Sequence, residues 1–463
     1  MVTHTSDYFD LLGNIARDMI SSGFAFMDDT PQEQMREERG NLIESGRRNV
    51  SVAENISRFQ EMLIGSTEGK RWCMRAKIDM KSDNGTMRDP VMFRCNDTPH
   101  HRTGTRFKAY PTYDFACPLI DALEGVTHAL RTSEYADRVA QYAWIQETLK
   151  VRKVHITEFS RLNFVFTLLS KRKLTWFADN NHVNGWFDPR FPTVQGVLRR
   201  GVTVPALREF IIGQGASKRV LDMEWDKFWA TNKKHIDPVA PRFTALEKRV
   251  PLNLIGGDNV PPVPEIRASS LHPKNAAIGT KAVYYSSKLM IETLDAVSLK
   301  IDEEITLMKW GNAFVRKIHY DADGQNITSI DAELFLAGDY KKTEKKITWL
   351  ADLNSAASSV PLSLEDFDFL LTKPKLEEGE DFASFINPKT KWAVDAIGEP
   401  AMRGLQRDDI IQIERKGYFR VDEPAIGDKP MVLFAIPDGR QRPIGVQAEW
   451  IAKLAATAAV AAT

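Results

Sequence analysis

The first half of the chain alternates between segments with apolar residues at helical spacing and short apolar runs typical of strands. Residues 6–27 predict a helix that is N-capped by Ser6, stops at Gly23 and leads into a strand. The same helical spacing returns in residues 131–150 and in the proline-punctuated residues 175–250. The first helix has its apolar face at Phe9, Leu12, Ile15 and Met19. Helices that alternate with strands in this way indicate an α/β domain.

The second half of the chain changes to short alternating runs typical of β-strands. A proline- and glycine-rich stretch at residues 252–275 marks the boundary. Turn dipeptides such as Asp323-Gly324 and Lys416-Gly417 separate several of the later runs, which predicts β-barrels. One earlier pair of alternating runs, in residues 72–95, contains Asn84-Gly85, which predicts the turn of a hairpin.

Residues 110–131 combine aromatic, acidic and basic side chains around one predicted helix. Tyr113 and Asp114 lie at its start, and Arg131 ends the stretch. An aromatic wall, a carboxylate and a semi-buried guanidinium suit a small pocket for a zwitterionic ligand, because arginine can bind a carboxylate through two parallel hydrogen bonds. The alternative that these residues leave open is a buried amphipathic helix with one capping arginine.

The charges are balanced overall but unevenly distributed. The chain has 62 Lys and Arg and 62 Asp and Glu, so it has no general attraction to a polyanion. Residues 161–250, however, hold 16 Lys and Arg against 8 Asp and Glu, among them Arg199-Arg200 and Lys233-Lys234. Localised contact with phosphates needs a basic segment of this kind. A solvated helix face is the alternative.

The cysteines predict a reducing compartment rather than a disulfide framework. Cys73, Cys95 and Cys117 are odd in number, widely spaced and without a C-x-x-C pair. Together with His100-His101 they lack the paired spacing of a zinc site, so no metal site is predicted.

No run approaches the ~20 apolar residues of a membrane span, and acidic residues interrupt the N-terminus where a signal peptide would be apolar. We therefore expect a cytoplasmic protein without a membrane partner.

Five sequence blocks occur in the order and at the spacing of a known enzyme family. They are RAKIDM (75–80), MRDP (87–90), YPTYDF (110–115), SRLN (160–163) and LSKR (169–172). Together they resemble class I glutamyl- and glutaminyl-tRNA synthetases of the eukaryotic cytosolic and archaeal type. In that family the last block corresponds to the K-M-S-K-S signature.

The resemblance implies a multidomain α/β and β protein. An incomplete class I Rossmann catalytic domain would precede anticodon-binding β-barrels, which stand where bacterial glutamyl enzymes have a helical cage. The implied segments are a remnant of the first Rossmann half (1–30), the acceptor-end-binding insertion (31–105), the second Rossmann half with the pocket and the K-M-S-K-S-like loop (106–175), a helical stem-contact region (176–250), the anticodon-binding barrels (251–450) and an alanine-rich tail (451–463).

The resemblance also implies roles for individual residues. Tyr113 and Arg131 correspond to positions that bind the amino acid, and the glutaminyl branch commonly has cysteine in place of this arginine. Asp137 corresponds to an aspartate that contacts acceptor-stem base pairs in the glutaminyl branch; an ion pair on a solvated helix is the alternative. Lys171 would be catalytic, since a lysine on a mobile loop can stabilise charge that develops on the triphosphate. The implied ATP-binding positions are Arg161, Leu162, Ser170, Lys171 and Arg172.

The function implied by these motifs is glutamate–tRNA ligase, which attaches glutamate to tRNA(Glu) through glutamyl-adenylate. The implied partners are tRNA(Glu), glutamate, ATP with Mg²⁺, and a multi-synthetase complex. We expect Arg75, Arg88 and Arg94 of the acceptor insertion to contribute to tRNA binding. The family's R-F-x-P-x-P-x-G and H-x-G-H motifs are not found in the sequence. The expectation is therefore an N-terminally truncated form, and a non-catalytic tRNA-binding fragment is the first alternative. Glutaminyl-tRNA ligase is the second, and Arg131 argues against it.

Overall fold

The structure is a computed structural model that describes residues 2–257, 259–353, 359–439 and 445. The alanine-rich tail predicted for 451–463 lies outside these residues. The described chain forms two compact units. Unit 1 extends to Leu162 and includes Ala216–Val220, whereas unit 2 holds Asn163–Gly215 and the described residues from Leu221 onward.

Unit 1 begins with a four-stranded antiparallel sheet and three helices. The strands are β1 (Ala25–Asp28), β2 (Cys73–Ala76), β3 (Val91–Cys95) and β4 (Ala109–Pro111), which lie in this order. The helices are α1 (Phe9–Ser21), α2 (Gln32–Gly40) and α3 (Val52–Ile64). Fully or almost fully buried side chains from α1, α3 and the sheet form one core, which includes Leu12, Met19, Phe59, Met62 and Phe93.

The first helix ends as predicted but begins later. Ser6 lies inside a 3-10 turn, Thr5–Tyr8, that precedes α1, so Ser6 is not the N-cap. Gly23 has a φ of 75°, a left-handed conformation that glycine adopts without strain. Its N–H donates to the Ile20 carbonyl at 3.0 Å, which satisfies one of the last carbonyls of the helix.

Strands β2 and β3 pair in antiparallel fashion, as the alternating pattern predicts, but no two-residue turn at Asn84-Gly85 joins them. Residues 77–90 form the connection. The Asn84 side chain accepts a hydrogen bond from the Thr86 N–H at 2.9 Å and so caps a 3-10 turn, Gly85–Met87. Asparagine favours such local bonds, and here the bond shapes the tip of a long loop instead of a hairpin.

The remainder of unit 1 is an α/β segment. It contains α4 (Tyr113–Leu123), β5 (His128–Thr132), α5 (Val139–Thr148) and β6 (His155–Phe159). Strands β5 and β6 pair in parallel, and a 3-10 turn, Ser133–Arg138, joins β5 to α5. Two parallel strands connected through a helix form the βαβ arrangement of a Rossmann fold.

Unit 2 starts with a helical region, which strand β7 (Leu162–Phe164) introduces. An aromatic cluster that includes Phe210, Phe228 and Trp229 forms its core. No helix in the described part of the chain combines the length and the apolar character that a bilayer span requires. The elements of this region are α6 (Lys171–Asp179), α7 (Val194–Arg199), α8 (Val204–Gln214), β8 (Leu221–Met223) and α9 (Trp225–Ile236).

The rest of unit 2 is almost entirely β-structure. Its elements are β9 (Arg242–Phe243), β10 (Ala245–Leu246), β11 (Arg249–Gly257), β12 (Glu265–Ser270), β13 (Thr280–Tyr285), β14 (Lys288–Glu292), α10 (Thr293–Ala296), β15 (Glu304–Leu307), β16 (Gly311–Tyr320), β17 (Ile327–Phe335), β18 (Lys346–Ile347), β19 (Trp349–Ala351), β20 (Val360–Phe367), β21 (Lys391–Gly398), β22 (Ile410–Ile413), β23 (Gly417–Glu423) and β24 (Met431–Ile436).

Two seven-stranded sheets use these strands. One has the order β18-β15-β16-β17-β11-β14-β19 and the other the order β10-β21-β20-β24-β23-β22-β9, while β12 and β13 form a separate hairpin. Each large sheet surrounds its own apolar core. The predicted fold class, an α/β region followed by β-barrels, is confirmed.

Candidate functional site

Arg131 lies near the end of β5 and has the most unusual surroundings of the predicted site residues. Its side chain is only 10% exposed, and its guanidinium lies 4.4 Å from the centre of the Tyr142 ring and 5.6 Å from that of Tyr113. Its nearest carboxylate oxygen, Oδ2 of Asp121, is 3.8 Å away, beyond hydrogen-bond distance. Among the described residues no acceptor takes a hydrogen bond from this guanidinium. Its donors are therefore available to a ligand that carries a carboxylate.

Asp121 uses its charge on a different partner. The Tyr142 hydroxyl donates to the same Oδ2 atom at 2.7 Å. Burial and this bond to Asp121 raise the pKa of Tyr142 well above its usual range. Burial also raises the pKa of the nearby Cys117 thiol to about 11. The surroundings of Arg131 at neutral pH therefore include the neutral phenol of Tyr142 and the neutral thiol of Cys117.

Tyr113 is the first residue of α4 and remains half-exposed at 48%. Its ring centre lies 5.6 Å from that of Tyr135, and burial of its inner edge raises its pKa. The neighbouring Asp114 is not a free pocket carboxylate, as the sequence led us to expect. Arg138 donates to both of its oxygens, at 2.6 and 2.7 Å, so Asp121 is the carboxylate next to Arg131.

Asp137 is exposed on the 3-10 turn that follows β5. Its backbone carbonyl accepts a hydrogen bond from Asn84 and lies 2.8 Å from the Thr86 hydroxyl, whereas its carboxylate has no hydrogen bond or ion pair among the described residues. The surface ion pair with Arg138 that was the alternative explanation does not form, because Arg138 binds Asp114. The carboxylate of Asp137 is thus open to solvent and to a ligand.

The implied ATP-binding residues lie in both units. In unit 1, Arg161 donates to Glu134 at 2.7 Å, and Leu162 is partly buried. In unit 2, Ser170 is the N-cap residue of α6, and Lys171 and Arg172 are exposed in its first turn. Cations at a helix N-terminus oppose the helix dipole. No described carboxylate compensates Lys171 or Arg172, so a bound polyphosphate would relieve this unfavourable arrangement.

Several arginines that were candidates for phosphate contacts are used inside the protein. Arg75 is 1% exposed and donates to Asp28 at 2.6 Å. Arg199 binds Asp422 through two hydrogen bonds of 2.8 and 2.6 Å. Arg200 is buried and donates to Asp366 and to two backbone carbonyls. These side chains are engaged within the fold and are not free for phosphate contacts, which corrects the sequence-based expectation.

The sequence does not indicate Asp121, and Tyr142 falls only within the apolar spacing that predicts a helix over residues 131–150. One signal could have indicated their contact, since a buried tyrosine hydroxyl usually needs a hydrogen-bond partner. The three cysteines are free thiols. The described residues contain no group of three or more His, Cys, Asp or Glu side chains that could hold a metal ion.

Three segments of the chain match three domains of one protein family. Residues 1–238 match the catalytic domain of "tRNA synthetases class I (E and Q)", and residues 240–335 and 346–422 match two anticodon-binding domains of the same family. It is 51% identical to a probable cytoplasmic glutamate–tRNA ligase of Schizosaccharomyces pombe and 50% identical to the cytoplasmic glutamate–tRNA ligase of Saccharomyces cerevisiae. In both cases the match covers 95% of this chain and 61% of the relative.

A bifunctional glutamate/proline–tRNA ligase of Drosophila melanogaster is 49% identical over 96% of this chain and 26% of that protein. The chain therefore spans about three fifths of the length of the two yeast relatives and about a quarter of the bifunctional one.

Proposed function

Because the chain belongs to the class I tRNA synthetases for glutamate and glutamine, we propose that it acts as a glutamate–tRNA ligase. In this reaction a carboxylate oxygen of glutamate attacks the α-phosphate of ATP, which yields glutamyl-adenylate and releases pyrophosphate. The terminal adenosine of tRNA(Glu) then takes the glutamyl group, and AMP leaves. The relatives named as glutamate–tRNA ligases, which are about half identical to this chain, support the proposal.

The observation that carries the proposal is the environment of Arg131. This guanidinium is nine-tenths buried, lies next to two tyrosine rings and has no hydrogen-bond acceptor among the described residues, so its donors are free for a ligand. A carboxylate of glutamate would supply an acceptor and would form a charge-assisted, two-pronged contact. We assign this contact to the side-chain carboxylate, because glutamine has the same α-carboxylate as glutamate. The side-chain amide of glutamine could not compensate the charge, which argues against the glutaminyl-tRNA ligase alternative.

The other substrates have candidate contacts in each unit. Tyr113 provides a half-exposed ring next to Arg131 for the amino acid. Lys171, with Ser170 and Arg172 beside it, would stabilise negative charge on the triphosphate, and Arg161 and Leu162 would contact the nucleotide. Mg²⁺ would be bound mainly by the nucleotide phosphates, because the described side chains do not form a metal-binding cluster.

We further propose that tRNA(Glu) is contacted by Asp137 at the acceptor stem and by the two seven-stranded sheets at the anticodon. The matches to anticodon-binding domains support the second contact. The relatives named as cytoplasmic support a cytoplasmic location, and the bifunctional relatives support a role in a multi-synthetase assembly.

The competing proposal is a tRNA-binding protein without catalysis, since no H-x-G-H motif occurs among the 463 residues. Filter binding of tRNA and glutamate-dependent ATP–pyrophosphate exchange, measured on one preparation, distinguish the two. We expect the 463-residue polypeptide by itself to bind tRNA with an affinity that falls steeply with salt. We do not expect it to charge tRNA by itself.

Turnover by this polypeptide alone would contradict the second expectation and support the ligase directly. ATP–pyrophosphate exchange that appears only when a segment with the H-x-G-H motif is joined to the chain would support the ligase. It would also explain why the 463-residue polypeptide alone shows no exchange. Failure to retain tRNA at low salt would contradict both proposals.

A further inference from the structure

The loop at residues 77–90 is unusually well fixed for a surface loop. The Arg88 guanidinium donates to the carbonyls of Ser82, Asp83 and Arg39, at 2.7, 3.2 and 3.0 Å. Arg39 in turn donates to the carbonyls of Arg88 and Gly85, at 2.9 and 2.8 Å. Two arginines are thus occupied with holding the backbone of the loop, so that the loop tip has a defined position.

Two side chains at this tip contact one backbone atom on another segment. The Asn84 amide nitrogen donates to the Asp137 carbonyl at 2.6 Å, and the Thr86 hydroxyl lies 2.8 Å from the same oxygen. The Asn84 amide oxygen accepts from the Thr86 N–H at 2.9 Å and lies 2.8 Å from the Thr86 hydroxyl, whose single proton is shared between this oxygen and the Asp137 carbonyl. The oxygen of the Asn84 amide is therefore bonded within its own loop, and the nitrogen is bonded to residue 137.

The 3-10 turn that carries Asp137 has little else to hold it in place. None of the residues in Ser133–Arg138 is buried, so apolar packing does not fix the turn. Among the described residues its side chains form the ion pairs of Glu134 with Arg161 and of Arg138 with Asp114, both of which include a side chain that is more than a third exposed. Glu134 also accepts a long hydrogen bond of 3.3 Å from Thr132, and the partly exposed ring of Tyr135 lies 5.6 Å from that of Tyr113. Exposed ion pairs contribute little. The Asn84 bond, together with the hydroxyl proton that Thr86 shares between Asn84 and Asp137, therefore restrains the backbone of Asp137 from outside the turn.

We propose that Asn84 and Thr86 are positioning residues that hold the Asp137 carboxylate where it can accept a hydrogen bond from the acceptor stem. This inference rests on the proposed function, because it needs tRNA as the ligand. A carboxylate can accept from the amino group that guanine presents in the minor groove, and the minor groove of an RNA helix is wide and shallow enough to admit it. Asn84 and Thr86 do not need to touch the RNA themselves.

Substitutions at Asn84 and Thr86 can remove the contact with residue 137 while the hydrogen bond from the Thr86 N–H to residue 84 within the loop is kept. Asn84→Asp keeps the oxygen that caps the loop but replaces the donor to Asp137 by an acceptor. Thr86→Val removes the hydroxyl at nearly constant shape, and Thr86→Ser restores it. Asn96→Ala is a matched control, because Asn96 also accepts a local backbone hydrogen bond in unit 1 and, within the described part of the chain, forms no hydrogen bond with residue 137.

The experiment measures binding of the 463-residue chain to a synthetic acceptor-stem minihelix. Inosine replaces guanosine at each of the first base pairs in turn, which removes only the minor-groove amino group. We expect one replacement to weaken wild-type binding on the order of tenfold and to have no effect on Asp137→Ala. Asn84→Asp should lose most of this discrimination, Thr86→Val part of it, and Thr86→Ser and Asn96→Ala none.

Two further measurements exclude a merely structural effect. The double variant Asn84→Asp/Asp137→Ala should discriminate no differently from Asp137→Ala alone, because the loop acts only through that carboxylate. The salt dependence of binding should be the same in all variants, since no phosphate contact changes. If Asn84→Asp does not fold, the comparison of Thr86→Val with Thr86→Ser provides the test.

Full discrimination in Asn84→Asp and Thr86→Val, together with its loss in Asp137→Ala, would overturn the positioning role and leave the proposed function intact. Wild-type binding that tolerates inosine at every position would overturn the role of Asp137, and this inference with it, but not tRNA binding. A chain that binds neither the minihelix nor tRNA would contradict the proposed function itself.

Discussion

The guanidinium of Arg131 lies 4.4 Å from the centre of the Tyr142 ring, and the hydroxyl of that ring is bonded to Asp121. Asp121 thus accepts a hydrogen bond from the tyrosine hydroxyl at 2.7 Å, and its Oδ2 atom remains 3.8 Å from the arginine. The arginine gains a nearby negative charge that offsets part of its desolvation cost. It keeps its hydrogen-bond donors, and we expect the substrate carboxylate to occupy them.

Replacement of Arg131 by cysteine should sharply weaken the use of glutamate. Loss of a buried charge-assisted contact should cost on the order of 2–4 kcal/mol. The effect should appear in kcat/KM for glutamate, measured by ATP–pyrophosphate exchange in a form of the protein that also carries an H-x-G-H motif. Arg102→Cys, at a more exposed arginine of the same unit, is the control. Unchanged KM and kcat in Arg131→Cys would refute the assignment.

Replacement of Tyr142 by phenylalanine should lower the free energy of unfolding by about 1 kcal/mol, because the Asp121 carboxylate loses a donor but keeps some access to water. Tyr320→Phe, at an exposed tyrosine, should change it by less than about 0.5 kcal/mol. The comparison requires chemical denaturation of both variants near neutral pH.

The same tyrosine gives a prediction for alkaline pH. Its pKa is raised in the folded protein, so its stabilising contribution is complete below the unfolded pKa of about 10 and disappears only as pH rises through the folded value. The difference in unfolding free energy between wild type and Tyr142→Phe should therefore stay constant up to about pH 10 and shrink above it. A difference that already shrinks near neutral pH would contradict the raised pKa.

The sequence predicts those features that depend on residues close together along the chain. The period of the apolar residues predicts α1, and short runs between turn dipeptides predict the two β-sheets. The contacts that shape the site are not local: the bonds of Tyr142 to Asp121 and of Asn84 to Asp137 join residues 21 and 53 positions apart. No periodicity indicates which carboxylate a distant tyrosine meets.

Arg75 illustrates the same limit in a strand. An arginine in an alternating run resembles a surface residue, but Asp28 on the neighbouring strand, 47 positions earlier, provides its buried partner. The motif match remained valid while the physical role inferred from charge alone was wrong. Family resemblance indicates the positions at which a residue type is required. The three-dimensional contacts indicate the physical role of the side chain at each position.

Arg75 and Arg94 lie on adjacent strands of one sheet. We expect substitution of Arg75 to lower stability and substitution of Arg94 to weaken tRNA binding. Arg75→Met leaves the buried carboxylate of Asp28 without its cation and should destabilise unit 1 by about 3–5 kcal/mol. Arg94 is exposed, so Arg94→Ala should leave stability unchanged. If Arg94 contacts a phosphate, as we expect, its loss should also reduce the salt slope of tRNA binding by about one.

Urea denaturation and a salt series of filter-binding measurements on both variants check this pair of expectations. A stable Arg75→Met protein with a reduced salt slope would mean that Arg75, and not Arg94, contacts the RNA. An unchanged salt slope in Arg94→Ala would remove that arginine from the tRNA surface.

Asp188 should make the stability of unit 2 depend on acid pH. Its side chain is 1% exposed and accepts two hydrogen bonds of 2.8 Å from the Arg190 guanidinium and two of 2.9 Å from backbone N–H groups. Burial alone would raise its pKa, but the bonds and the charge of Arg190 outweigh burial and lower it. The ionised form is thus the one that stabilises the fold, and Asp188→Asn should cost about 3 kcal/mol at neutral pH.

The sign of the pH dependence follows from the lowered pKa of Asp188. Its contribution is complete above the unfolded value of about 3.9 and is lost as pH falls through the folded value. The gap in unfolding free energy between wild type and Asp188→Asn should therefore be constant from neutral pH down to about 4 and narrow below it. Asp323→Asn, at an exposed turn, provides the control for general acid effects. A gap that stays constant down to about pH 2 would show that the cost of the substitution arises from shape rather than from the ionised carboxylate.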